Sequence, residues 1–325
     1  MHTDQIMLNV EKLRKRPQHF LRFTGLSVSQ FDRLLGQIGQ AYPLFNANRL
    51  ARPDRKRQVG GGSWFRLSLP DRTLLALVFL RLYLTNDLLG YLFGLDASNI
   101  SRNLRTLLPL LEQLLPVPAQ PRRHLAPKPP AGERHRKIGS LDELLKHYPD
   151  LREIIVDATE QPINRPQHKV KRKNRYSGKK KRHTRKVQMA VIKNGLICHL
   201  SKSVGGRTHD LTLFHRSGIE RQLPDDWQVA VDKGYMGIVK HYPKRAVAIP
   251  KKPSKHHPLT VGEKRRNRRL AKRRIVVEHA ISRVKKYQVM GSKYRHGERE
   301  YDQVCRTVCG LVNLRTQERL AQATA

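Results

Sequence analysis

The chain has 325 residues, with 65 Lys plus Arg against 26 Asp plus Glu and a formal net charge of +39. That length holds two or three domains and at least one sizeable core, and so one-sided a charge calls for a polyanion, DNA or RNA, to relieve its self-repulsion. The basic runs lack the apolar face of a membrane-surface helix, the three cysteines are too few for a disulfide framework, and MHTDQIMLNVEKLRKR has no apolar leader core, so the expectation is a cytoplasmic, nucleoid-associated protein with no membrane partner.

Residues 1–60 read as a helical segment ending in a basic loop. Ser27 or Ser29 starts a helix with Phe31, Leu34, Leu35 and Ile38 on one face, and RPDRKRQVGGGS (52–63) breaks it. Residues 61–116 form the next block. Pro70 and Asp71 open an almost wholly apolar helix, too short for a membrane span. Thr85 or Asn86 caps a second, short helix, and Asp96 or Ser98 caps a long amphipathic one. Helix, short helix, a turn at Gly94 and helix is the order of a helix-turn-helix unit. The last helix opens with Ser98, Asn99, Ser101, Arg102 and Arg105, whose short polar and guanidinium side chains suit base edges and phosphates in a major groove.

Residues 117–150 read as a Pro/Arg-rich linker followed by a short helix. From 151 to 299 the pattern alternates: strands at 153–159, 187–193, 196–203, 228–232 and 246–249, a hairpin turn at Asn194-Gly195, a helix ending at Gly218, and a long helix over about 260–288. Residues 300–325 read as a separate C-terminal helix. The fold class predicted is therefore α/β, a mixed sheet flanked by helices, preceded by an all-α domain.

Two carboxylates end runs of β-branched residues, Asp157 after Ile-Ile-Val and Asp232 after Val-Ala-Val, and Glu278 follows Ile-Val-Val on the long helix. A buried carboxylate needs a metal, a partner or solvent, and two strand-borne aspartates with one helix-borne glutamate suit divalent ions and phosphoryl chemistry. The stretch 169–186 holds eleven Lys or Arg in eighteen positions, among them Lys171, Arg172, Lys173, Lys179, Lys180, Lys181 and Arg182, and reads as a mobile basic loop beside Asp157. A second basic run reaches Arg273 and Arg274, and Arg283 and Lys285 follow Glu278. All of these are read as contacts to DNA phosphates. Asp210, in GGRTHD, reads as a helix cap, and Cys305 and Cys309 lack the Cys/His partners of a zinc site.

The motifs VDATEQPINRPQ, YSGKKKRHTRKVQ, GGRTHDLTLF, VDKGYMG and KRRIVVEHAISRVKKY, in this order after TNDLLGYLFGLDASNISRNL, resemble the DDE-type transposases of bacterial insertion sequences, in the branch similar to the harbinger-like DDE superfamily endonucleases. The resemblance spans roughly residues 65–315. It implies a ribonuclease-H-like catalytic domain behind a helix-turn-helix. It implies that Asp157, Asp232 and Glu278 are a catalytic and metal-binding triad holding two Mg2+ ions, with Mn2+ as substitute. It also implies double-stranded DNA, element terminal repeats and target, as partner, and a homo-oligomer in the synaptic complex. A repurposed transposase that binds DNA without cutting it is the alternative.

Overall fold

The computed structural model describes residues 6–51, 65–115, 117, 141–149, 151–254 and 256–324. The basic loop expected at 52–63 and all of the linker but Val117 lie outside them. The described residues form two compact units, one over 6–115 with Tyr287–Val289, the other over 141–286 and 290–324.

The first unit is helical: α1 (Val10–Arg14), α2 (Pro17–Thr24), α3 (Val28–Leu50), α4 (Leu69–Leu82), α5 (Asn86–Phe93) and α6 (Ala97–Leu114). Ser27, not Ser29, opens α3, through a reciprocal capping box with Gln30. The α4 helix starts one residue earlier than the sequence suggested, because the Ser68 hydroxyl accepts the Asp71 amide, with Pro70 in the first turn. Being apolar all round, α4 is buried all round. Leu74 to Leu80 are all at most 2% exposed, each contributing about 1.5–3 kcal/mol for a leucine-sized side chain. The guanidinium of Arg72 enters this core with its Nε and Nη1 donors met, while Nη2 has no hydrogen-bond partner among the described residues. It gives hydrogen bonds to Asn103 Oδ1 (2.6 Å) and the Tyr42 hydroxyl (2.9 Å) and lies 3.5 Å over the Phe65 ring.

Thr85 caps α5, and Gly94 leaves it at φ +63°. The chain then folds back so closely that the Leu95 amide reaches the Gly90 carbonyl at 2.9 Å, and a Cβ at Gly90 would strike the Leu95 carbonyl. That tight turn sets α6 against α5. The expected helix-turn-helix is present.

The second unit contains α7 (Leu141–His147), β1 (Glu153–Pro162), α8 (Lys169–Arg175), β2 (Tyr176–Ser177), β3 (Arg182–Val191), β4 (Ile197–Leu200), β5 (Val204–Gly205), α9 (Asp210–Ser217), β6 (Gln228–Ala230), α10 (Ile238–His241), β7 (Val247–Ala248) and α11 (Val261–Lys285). After α12 (Gln288–Gly291), α13 (Glu298–Thr324) closes the chain. The path across the sheet is β4-β3-β1-β6-β7. The first three strands are antiparallel and the last two run parallel to β1. An antiparallel meander followed by parallel strands reached through helices is the order of the RNase H-like sheet that the motifs implied. Trp227, Phe214, Tyr235, Val156 and Val229 make its core on one face. On α13, Tyr301, Val304, Val308 and Leu311 are buried, as are the free thiols of Cys305 and Cys309. Asn313 of this helix takes the backbone of Ile197 at both ends, accepting its N–H and donating to its C=O, each at 2.8 Å.

Three local expectations change. Asp157 lies inside β1 rather than at its end, because the strand continues to Pro162 against β3. The basic stretch is not a loop tip: it folds into α8 and the β2–β3 hairpin. The boundary drawn before residue 300 falls inside α13, which starts at Glu298. Among the described residues no helix is long and apolar enough to cross a membrane.

Candidate active site

Parallel pairing of β1 with β6 aligns Ile155 with Ala230, which brings Asp157 and Asp232, each two residues further on, side by side. Asp232 lies just past the end of β6, where its side chain accepts the Gly234 amide at 2.6 Å and turns the chain out of the sheet. Glu278 comes from α11, whose start is fixed by a capping box between Thr260 and Glu263 and which packs across β1 and β3. One turn before Glu278 on the same helix stands Arg274.

The guanidinium of Arg274 is the centre of this cluster. Its Nη2 lies 3.6 Å from Asp232 Oδ2, 3.9 Å from Glu278 Oε1 and 4.0 Å from Asp157 Oδ2. The Arg274 side chain is 15% exposed, against 22% for Asp157, 36% for Asp232 and 57% for Glu278, so the cluster opens to solvent on the Glu278 side. Among the described residues no three acidic, histidine or cysteine side chains close to metal-cage distance. The three carboxylates are spaced around a cation of the chain itself.

Burial pushes the Asp157 carboxyl up to about 6, against the Ala158 amide and Arg274, and the nearby Asp232 and Asp210 push the same way. Arg274 Nε and the Tyr235 hydroxyl are buried without a hydrogen-bond partner among the described residues. Burial, Asp210, Asp157 and Asp232 hold that phenol well above its usual range. Three carboxylates side by side, one of them reluctant to ionise, offer the oxygen ligands of a hard cation. Carboxylate oxygens are the ligand type that a hard divalent cation takes.

Asp210 belongs to this neighbourhood and is not a cap. It is the first residue of α9, makes no capping bond, and its carboxylate lies 3.0 Å from Lys186 Nζ, which also gives a hydrogen bond to the Thr208 carbonyl and lies 3.3 Å from Glu160. Glu160 in turn accepts from Thr184. The GGRTHD motif has a packing reason that the sequence did not reveal. A Cβ at Gly205 would strike the Asn174 carbonyl, and one at Gly206 the Thr184 hydroxyl, so the two glycines let the end of α8 close on β5.

The basic residues separate into different places. Lys285 lies near Asp157 and Glu160, and burial together with Lys180 lowers its pKa. Arg283 does not share that face, because five residues from Glu278 turn it toward Gly195, Arg315 and Arg319. Arg273 is engaged by Glu153 (2.5 Å) and Gln228 (3.1 Å) at the sheet. Lys171, Lys173, Lys179, Lys180, Lys181 and Arg182 are exposed and Arg172 half-buried on α8 and the hairpin. In the first unit Ser98, Arg102 and Arg105 are exposed and Asn99 and Ser101 half-buried on the first turns of α6, with Arg102 bonded to Asn99 at 2.9 Å.

These two elements, an acid cluster on a mixed sheet and a helix-turn-helix, match two family models. Residues 156–313 match the model described as DDE superfamily endonuclease, and residues 65–116 match the model described as helix-turn-helix of DDE superfamily endonuclease. The two matches support a DDE-type insertion-sequence transposase. It is also similar to a protein of Microchaete diplosiphon described as the probable transposase for insertion sequence element IS702, 28% identical over 308 residues that cover 94% of this chain and 98% of the relative. No solved structure matches significantly. The DDE endonuclease match contains Asp157, Asp232 and Glu278, and the helix-turn-helix match contains α4, α5 and α6. Both domains stand in the order of a DDE-type insertion-sequence transposase.

Proposed function

We propose that this chain is the transposase of an insertion sequence that cleaves DNA strands at element ends and joins them to a target. The carrying observation is the convergence of Asp157, Asp232 and Glu278 on a single cationic nitrogen at 3.6–4.0 Å, within a domain of the matching family. In this reading Asp157, Asp232 and Glu278 would together hold two divalent ions, Mg2+ by preference. When bound, such ions lower the pKa of an attacking water or 3′-hydroxyl and stabilise the leaving oxygen.

The chain's own residues do the rest. The Asp232 carboxylate, fixed by the Gly234 amide, presents its second oxygen to the cluster. Arg274 neutralises the acids before substrate arrives, and Lys285 faces the phosphate beside Asp157. The α6 face with Ser98, Asn99, Ser101, Arg102 and Arg105 reads the element end, and the cations of α8 and the hairpin hold backbone phosphates. Domain limits of 61–116 for the DNA-reading unit and 151–299 plus α13 for the catalytic unit serve this division. Joining two ends requires two active sites, so a homo-oligomer on the DNA is part of the proposal, and so is a cytoplasmic, nucleoid-associated location.

The test incubates the full chain with duplex carrying the inverted repeats that flank its gene, with and without Mg2+. The wild type is expected to nick and join strands only with the metal, while Asp157→Asn and Asp232→Asn bind the duplex but do neither. Cleavage by either variant at the wild-type rate, or binding by the wild type with no nicking at all, overturns the proposal.

A further inference from the structure

Among the cations of α8 and the hairpin, the second unit has a concave face whose aromatic side chains the reading above leaves without a role. A cleft of about 720 Å3 lies between α8, the β2–β3 hairpin and the turn at Arg207, lined by Arg165, Arg172, Lys173, Arg207, Tyr176 and His183. Its walls are rigidly held. Arg175, at the end of α8, pairs with Glu298 at 2.5 Å. The Arg207 amide reaches the Asn174 carbonyl at 3.4 Å, and Gly205 and Gly206 admit that close approach. The α8 helix has no buried residue of its own. Tertiary anchors at its C-terminal end therefore hold a solvent-facing cationic helix in place.

The aromatic ring in this cleft separates it from a simple phosphate track. Tyr176 is 43% exposed, and its ring stands edge to face with His183, with centroids 5.6 Å apart. A duplex backbone offers phosphates, for which the cations suffice, whereas an open ring face between guanidinium groups fits a flat, electron-rich partner. Burial, Arg165 and Arg172 lower the pKa of His183, and its ring forms a second aromatic wall beside Tyr176. In duplex DNA the base faces are stacked away, so a partner with a free face is an unpaired nucleotide.

We propose that this cleft binds an unpaired nucleotide of the DNA substrate, with its base on Tyr176 and its phosphate among Arg165, Arg172 and Arg207. The proposal rests on the DNA-processing reading above and narrows it: the protein grips a frayed or single-stranded end as well as duplex. The volume holds one or two nucleotides.

Fluorescence anisotropy with the full chain tests this by comparing one labelled duplex, blunt or carrying a three-nucleotide single-stranded tail, over a range of salt concentrations. The tailed duplex is expected to bind tighter. Tyr176→Ala removes that advantage, about 5- to 100-fold for one stacked base, and leaves blunt-duplex affinity and the salt slope unchanged, while Tyr176→Phe retains it. Arg172→Ala lowers the salt slope by about one for each phosphate that the guanidinium neutralises. Equal binding of blunt and tailed duplexes by the wild type, or an equal loss on both for Tyr176→Ala, overturns the inference and leaves the transposase reading standing. Failure to bind either duplex overturns both.

Discussion

Replacing Asp157 by Asn should stabilise the metal-free protein, and the size of the gain follows from the site. Burial raises the Asp157 carboxyl from the ordinary 3.8 to about 6. At about 1.4 kcal/mol per pH unit, the ionised carboxylate destabilises the fold by about 3 kcal/mol. The sign follows from the order of the two values. The unfolded chain ionises first as pH rises, so the penalty is absent below about 4, grows through pH 4–6, and is complete above about 6. Asn keeps the local bond, because its carbonyl accepts the Ala158 amide as Asp157 Oδ1 does at 2.8 Å, and it cannot ionise. Chelator-treated wild type and Asp157→Asn, melted at pH 4 and pH 7.5, should coincide at the first and differ at the second. A gain of about 3 kcal/mol is roughly 6–12 °C for a unit of this size. Addition of Mg2+ should raise the wild-type transition and leave the variant where it was. A variant no more stable than wild type at pH 7.5 would refute the claim that burial destabilises this carboxylate in its ionised form.

Arg274→Gln should bind Mn2+ tighter without DNA, because three partly exposed ion pairs of about 0.3–0.5 kcal/mol each no longer compete. Calorimetry should show roughly 5- to 10-fold, and unchanged or weaker affinity contradicts the counter-ion role. Lys186→Met strands Glu160 and Asp210, whose side chains are 7% and 25% exposed. Urea titration should show a loss of about 3–5 kcal/mol at pH 8, shrinking at acid pH as Glu160, whose pKa Lys186 helps to lower, takes up a proton; a loss independent of pH counts against the network. Asn313→Ala leaves both backbone groups of Ile197 without their partner and should reduce stability by about 1–3 kcal/mol, with hydrogen exchange at Ile197 accelerated. Exchange at wild-type rate there would refute the edge-pairing role.

The elements most visible in the sequence were those whose local signals agree. The apolar run at 74–80, the Thr85 cap with Gly94, and the Ile-Ile-Val and Val-Ala-Val runs before two aspartates all predicted elements close to those observed. Asp157, Asp232 and Glu278 could be named for the same reason, since each stands at a fixed offset from an apolar run. What the sequence hid was tertiary. Nothing local says that Arg274 turns inward to the acids while its neighbour Arg273 turns to Glu153, although the i,i+4 spacing to Glu278 hinted at it. Asp210 has the spacing of a cap, but Lys186, twenty-four residues away, takes its carboxylate instead. Gly205 and Gly206 have no left-handed backbone, and their reason is the nearness of Asn174, which no window of sequence contains. The run 169–181 has the composition of a solvated loop, and it is structured because Glu298, on the last helix, holds its end.

That last helix also limits how the protein can meet another copy of itself. A sheet's outer strand exposes a row of backbone groups on which a second chain can continue the ladder. On β4 the Asn313 carboxamide copies a peptide unit and occupies the outward N–H and C=O of Ile197. Growth of the sheet by strand addition is blocked there. In a homo-oligomer of the kind proposed, the contact between copies therefore lies away from β4.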